Sequence, residues 1–365
     1  MEKKLIMFMP SIEGGGVEKN LFLVSNYLAK KLGNISIITA SKKFNKKFNK
    51  KINLICPQSS YWDSLARRLK YIICLFLLFL ELKKNRKIVV FCFQANIYCI
   101  LLCKIFKTKI LIRSNSSPSG WSKNLIKILI YKKVLKMADK IMVNSLEFKK
   151  QLKNNFNLKS ECIYNPLNIK EITKLSKIKI KENFFKKTEL KIINIGRFAD
   201  QKDHLTLLRA INYLKGKINL RLIIIGGGPN KRKLLNYIKS NNLLKIVKIK
   251  NFTQNPYPYI LKANLFILSS LYEGLPNVLL ESLALNRFVI SSKCPTGPSE
   301  ILDNNKGGLL FKVGDYNDLI SKILFYNSNK RLCQKKLEYA RKRLHRFNYN
   351  KNLEKYYNLV KSIMQ

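Results

Sequence analysis

The feature that most constrains this chain is an alternation. Short runs that are apolar at nearly every position each end in a glycine or polar turn, and most of those turns open into a helix-like stretch. In the first half the runs are Lys4–Met9, Asn34–Thr39, Lys87–Phe93, Lys109–Arg113, Lys140–Val143 and Glu161–Tyr164. Strands apolar on both faces and separated by helices pair in parallel and are covered on both sides. The pattern breaks over Asn165–Leu190, which is rich in Lys and Asn and has no clear period. It restarts at Lys191–Ile195 and continues through Leu220–Ile225, Ile246–Ile249, Leu265–Leu268, Phe288–Ser291 and Leu309–Lys312. The expected class is therefore α/β, with two doubly wound units in residues 1–168 and 191–335, a connection at 169–190, and a basic helical tail at 336–365 packing back on the first unit. A chain of 365 residues is long enough for two cores.

Parallel sheets bind ligands at the carboxyl ends of their strands, so the turns there are the candidate sites. The first is Ser11–Lys19, where Gly14, Gly15 and Gly16 let the backbone approach a ligand and a helix begins. It lacks the G-x-G-x-x-G spacing of a dinucleotide fingerprint. Gln94–Asn96 and the polar stretch Arg113–Ser119 end two further runs. In the second half, Arg197 and Lys202 lie near the tip of one turn, where two cations can hold a diphosphate. Gly226–Pro229 and Phe252–Asn255 follow the next two strands. The densest turn is Ser269–Glu281, SSLYEGLPNVLLE. Glu273 and Glu281 bracket Gly274 and Pro276, and the chain passes from loop into helix between them. Carboxylates suit sugar hydroxyls, and the backbone N–H groups of a helix start suit phosphate.

The formal charge of +49 first suggests a nucleic-acid partner. The lysines are spread over the whole chain, however, and no helix-turn-helix, RNP-like or zinc-finger pattern accompanies them. An anionic membrane face is the second candidate. Tyr71–Leu80, an uninterrupted apolar run, is flanked by Arg67, Arg68 and Lys70 on one side and Lys83, Lys84, Arg86 and Lys87 on the other. It is well short of the ~20 residues that span a bilayer, so a buried or interfacial helix is expected. Lys42–Lys51, with Phe44 and Phe48 four residues apart, reads as a solvated basic loop or a second surface contact. Eight cysteines without a CxxC pair, and only two histidines, His204 and His345, make small apolar core thiols the expectation and argue against a metal site. No small-residue cleavage site follows the LIMFMP run, so a cytoplasmic location is expected.

Five landmarks in order, GGGVEK (Gly14–Lys19), NPLN (Asn165–Asn168), GRFADQKDH (Gly196–His204), GGGP (Gly226–Pro229) and SLYEGLPNVLLE (Ser270–Glu281), resemble glycosyltransferase family 4. The resemblance implies the GT-B fold, two facing Rossmann-like domains with a cleft between them. It makes the first the acceptor domain and the second the nucleotide-sugar donor domain. CPTGPSEIL (Cys294–Leu302) is similar to a subgroup acting on polyprenyl-diphosphate-linked or lipopolysaccharide glycans. The implied activity is retaining transfer of a hexose or N-acetylhexosamine from a UDP-sugar co-substrate to a lipid-linked or cell-envelope glycan, with no metal and no other cofactor, at the cytoplasmic face of the inner membrane. The implied catalytic residues are Glu273 on the donor sugar and Arg197 and Lys202 on the leaving diphosphate. Donor binding falls to Gly15, Gly16, Gly274, Leu275, Pro276, Asn277 and Val278, with Glu281 on the ribose and Gln254 near the base. No histidine precedes His204, where many relatives place one near the reacting sugar. Arg113 and Asn115 are the candidates for that acceptor or sugar contact. The alternatives are a nucleotide-sugar epimerase of the same fold, a polycationic nucleic-acid binder, and a non-catalytic sugar-binding relative.

Overall fold

A computed structural model describes residues 3–115, 124–185 and 189–365. Packing divides the chain into two compact units, unit 1 (Met1–Pro166 with Tyr349–Gln365) and unit 2 (Leu167–Asn348).

Unit 1 is built on strands β1 (Lys4–Phe8), β2 (Ile35–Ile38), β3 (Ile52–Ile55), β4 (Ile88–Cys92), β5 (Lys109–Arg113), β6 (Lys140–Val143) and β7 (Glu161–Cys162). All pair in parallel, in the order β3-β2-β1-β4-β5-β6-β7. Alternation across the sheet explains why the strands are apolar throughout. Leu5 and Met7 of β1 enter one core with Val89 and Phe91 of β4. Ile6 and Phe8 enter the opposite core with Val90 and Cys92. The first face is covered by helices Gly16–Leu32 and Tyr349–Met364. The second is covered by Arg67–Lys84, Asn96–Ile105, Leu125–Lys136 and Leu146–Phe156.

Strand β3 does not appear among the runs read from the sequence, because it is a four-residue edge strand directly behind a lysine-rich segment. In that segment Phe44 and Phe48 are buried against Phe22, with ring centroids 6.0 and 5.0 Å away, while Lys46 and Lys47 stay exposed. The two phenylalanines therefore belong to the core of unit 1 and not to an outside surface.

Unit 2 contains β8 (Leu190–Ile195), β9 (Leu220–Gly226), β10 (Val247–Asn251), β11 (Leu265–Leu268), β12 (Phe288–Ser292) and β13 (Leu309–Phe311). They form a parallel sheet in the order β10-β9-β8-β11-β12-β13. Strand order reverses between β8 and β11, which makes their carboxyl ends the switch point where such sheets bind ligands. The segment 169–190, expected as a plain connection, opens instead with a helix, Ile169–Ser176. Asn168 caps it by accepting from the Glu171 N–H, and Ile172 is buried beneath it. Residues 186–188 of the segment lie outside the described residues. The tail is two helices, Lys330–Lys342 in unit 2 and Tyr349–Met364 in unit 1, separated by a 3-10 turn at Arg343–Phe347. Among the described residues no helix is long and apolar enough to cross a membrane.

Candidate active site

At the switch point of unit 2 the turn after β8 and the loop after β11 are stitched together. The Leu271 N–H donates to the Gln201 carbonyl at 2.8 Å, the Gln201 amide to the Tyr272 carbonyl at 2.8 Å, and the Ser269 hydroxyl to the Lys202 carbonyl at 2.9 Å. This scaffold brings Lys202 Nζ within 2.5 Å of Glu273 Oε1. The same carboxylate oxygen accepts from the Ser270 hydroxyl at 2.6 Å. Glu273 is buried, and its side chain is only 9% exposed against 18% for that of Lys202. One of the three ammonium N–H groups is thus committed to Glu273, which leaves donors for an incoming anion.

Loop Cys294–Glu300 supports this carboxylate from behind. The buried Thr296 hydroxyl donates to the Glu273 carbonyl at 2.6 Å. Gly297, at φ +63°, lies so close that a Cβ there would sit 1.9 Å from the Gly274 carbonyl oxygen. Gly226 has a similar role under the other strand, since its Cβ would fall 1.9 Å from the Gly196 carbonyl oxygen. The glycines of GGGP and TGP therefore allow backbone to pack beneath the two functional turns.

Gly274, Leu275 and Pro276 are buried in the loop, and helix Asn277–Ala284 starts directly after Pro276 with no side-chain cap. Asn277 and Val278 form its first turn. Glu281, one turn further, is 4% exposed and accepts a hydrogen bond from the Tyr257 hydroxyl at 3.4 Å. Arg197 is exposed beyond β8, and Gln254 is exposed after β10, two strands from the switch point. His204 opens the helix His204–Leu214, edge-on to Phe198 at 5.4 Å, and burial holds its imidazole neutral down to about 4. A concavity of about 480 Å³ lined in part by Asn286, Arg287 and Lys330 opens at the amino ends of β11 and β12, the opposite edge from the switch point.

In unit 1, Gly15 and Gly16 are exposed after β1 at the start of helix Gly16–Leu32. The loop is held by the Ser11 N–H donating to Gln94 Oε1 at 3.1 Å and by Arg67 pairing with Glu13 at 2.5 Å. Buried Glu18 turns its carboxylate toward Gly15, and burial raises its pKa above the ordinary carboxylate value.

Arg113 and Asn115, the candidates for an acceptor or sugar contact, lie at the end of β5. Arg113 is completely buried; it donates to Asn165 at 2.7 Å, to the Tyr356 hydroxyl at 3.3 Å and to Asn115, with its guanidinium 5.5 Å from the Phe93 ring centroid. Asn115 in turn donates to the Phe93 carbonyl at 2.8 Å. A fully buried guanidinium bound on three sides serves as an internal brace of unit 1. Ser116–Ser119 of the same polar stretch lie outside the described residues.

Sequence reading named Glu273, Lys202 and Glu281 as candidates and did not name Ser270, Thr296 or Tyr257, whose hydroxyls bond to Glu273 and Glu281. Ser270 and Thr296 sit inside quoted motifs, yet a hydroxyl carries no chemical signature until its carbonyl or carboxylate partner is known.

Two parallel doubly wound α/β units are the architecture of the GT-B fold. The model of the family described as glycosyl transferases group 1 matches residues 176–343, which lie within unit 2. The chain is 39% identical over 219 residues to an uncharacterized glycosyltransferase, MJ1059, of Methanocaldococcus jannaschii, which covers 56% of this chain and 53% of that protein. It is 33% identical over 234 residues to a Campylobacter jejuni N-acetylgalactosamine-N,N'-diacetylbacillosaminyl-diphospho-undecaprenol 4-alpha-N-acetylgalactosaminyltransferase, covering 61% of this chain and 62% of the other. The matched stretch thus spans just over half the length of these curated relatives. Anabaena Alr3699/HepE, solved in complex with UDP-glucose, shares the fold over 99% of this chain and 100% of its own, with a TM-score of 0.79 at 14% identity.

Proposed function

We propose that this protein is a retaining glycosyltransferase. It moves a hexose or N-acetylhexosamine from a UDP-sugar to a lipid-linked or cell-envelope glycan at an anionic membrane face. The observation that carries the reading is the pairing of half-buried Lys202 with buried Glu273 at the switch point of unit 2, followed on the next helix by buried Glu281. The Campylobacter relative is named for transfer to a diphospho-undecaprenol-linked sugar, and the Anabaena structure holds UDP-glucose, which supports the donor and acceptor classes.

In this mechanism Glu273 receives donor-sugar hydroxyls and Glu281 the ribose hydroxyls. Lys202, with Arg197 near it in sequence, meets the diphosphate. The N terminus of helix Asn277–Ala284 adds the positive end of its dipole. The bond between the anomeric carbon and the diphosphate oxygen breaks, and a new bond to the acceptor oxygen forms on the same face. The leaving phosphate takes the acceptor proton. Charge growing on the diphosphate is met by fixed cations, so stabilisation is greatest in the transition state. No divalent ion is needed for this step.

A panel of nucleotide sugars tested for protection against thermal unfolding checks the reading. A ligand at a hundred times its dissociation constant stabilises the native state by about 2.7 kcal/mol. At least one UDP-sugar is expected to raise the melting temperature of the wild type and to lose that effect in Glu281→Ala. If no nucleotide sugar protects the folded wild type, the donor assignment fails.

A further inference from the structure

Three helices of unit 1, Arg67–Lys84, Asn96–Ile105 and Leu125–Lys136, pack side by side over the same core of β1, β4 and β5. Their inner faces supply Cys74, Leu78, Cys99, Cys103, Val134 and Leu135 to that core. A helix that buried only an inner stripe would be polar outside, but these three are apolar there as well. Each carries an exposed apolar pair at i, i+4: Ile72 with Phe76, Leu101 with Ile105, and Ile126 with Ile130. Residues at this spacing lie on one face of a helix. Ile72, Ile105 and Ile126 are 64%, 76% and 68% exposed. Phe79 joins two of the helices, stacked 6.5 Å from Phe76 and edge-on to Phe106 at 5.5 Å. Nearly half of the large apolar side chains left exposed among the described residues lie on these three helices.

Charge selects the occupant of this face. The three helices contain ten lysines and arginines and a single carboxylate, Glu81, which is already paired with Lys4 at 3.0 Å and Lys84 at 3.9 Å. Protein interfaces are depleted in lysine, whereas apolar faces ringed by lysine and arginine suit the headgroup boundary of an anionic bilayer. We propose that the outer faces of these three helices form one docking surface for an anionic lipid membrane, with Phe76, Ile105 and Ile130 entering the acyl boundary and the basic side chains engaging headgroups. This rests on the membrane part of the proposed function and deepens it from one helix to a composite surface.

The test is sedimentation of the full chain with vesicles of phosphatidylcholine alone or with 30 mol% phosphatidylglycerol, for wild type and the triple variant Phe76→Ser/Ile105→Ser/Ile130→Ser. All three positions are exposed, and an unchanged circular dichroism spectrum and melting temperature check the fold. The wild type is expected to bind anionic vesicles, less tightly as salt rises, and the triple variant at least tenfold more weakly. Equal binding by the variant overturns the surface while leaving membrane association standing. Absence of wild-type binding to anionic vesicles overturns both. If wild type instead forms a dimer that the triple variant abolishes, with no vesicle binding, the face pairs with a second copy and the proposal fails. Protection by UDP-sugars, measured on the same two proteins, reads the transferase assignment independently.

Discussion

The carboxylate of Glu273 sits in a position where its two hydrogen-bond partners have different consequences. Ser270 can satisfy one oxygen, but only Lys202, 71 residues away in sequence, supplies charge. Removing a hydrogen-bond partner from a buried group costs about 1–3 kcal/mol. Lys202→Met is therefore expected to lower stability by that amount in urea unfolding. The double variant Lys202→Met/Glu273→Gln should recover most of the loss, since no buried charge is left unpaired. Sugar transfer should stay down by about a hundredfold or more in both, because the cation facing the diphosphate is missing. A double variant that is stable and fully active would separate the pair from catalysis. The residues of this site differ in how legible they were. Charged groups near glycines at a strand end declare themselves, and so Glu273, Lys202 and Glu281 could be named as candidates. Thr296 and Tyr257 act through single hydroxyls on partners 23 and 24 residues away, and nothing local distinguishes them from other hydroxyls.

The helix Tyr349–Met364 illustrates what is decided between elements. Its amphipathic period and its packing back on the first unit were readable, but not which residues, Leu353, Tyr356, Leu359 and Val360, would enter that core, or that Tyr356 would meet Arg113 at the end of β5. The guanidinium of Arg113 and the Tyr356 hydroxyl are both buried, and burial raises the phenol pKa, so the phenol stays neutral and accepts a hydrogen bond. Tyr356→Phe leaves the ring packing intact and removes one acceptor from a buried cation. The expected cost is about 1–3 kcal/mol, seen as a fall of a few degrees in melting temperature, with the KM for the donor unchanged. A large KM change with no loss of stability would instead support Arg113 in the sugar site. Strands were the most legible elements because both faces are buried and the runs are continuous. Short pieces such as β3 and the helix Ile169–Ser176 were not, since four to eight residues among lysines carry too little period to stand out.

At the scale of the whole molecule, 70 lysines and arginines face 21 aspartates and glutamates. Even if every acid were paired, 49 cations would have no carboxylate of their own. The pairs present include some with a buried carboxylate, such as Glu182 with the half-exposed Lys248 and Lys250 at 2.9 and 3.0 Å, which salt screens less than fully exposed pairs. The surplus lies on the surface, where repulsion works against the compact state and is screened over a Debye length of ~10 Å at 0.1 M salt. Scanning calorimetry should therefore find a higher melting temperature in 0.3 M than in 0.02 M sodium chloride, the opposite of what a surface held by exposed ion pairs would give. A melting temperature that falls with salt would mean that attraction dominates. The same screening separates the partners that a polycation attracts. Binding to nucleic acid through phosphates alone weakens steeply over this salt range. Attachment to a membrane through exposed Phe76, Ile105 and Ile130 entering the acyl boundary would keep a salt-resistant part, so the fraction of anionic-vesicle binding that survives 0.3 M salt measures how much of the surface is apolar contact rather than charge.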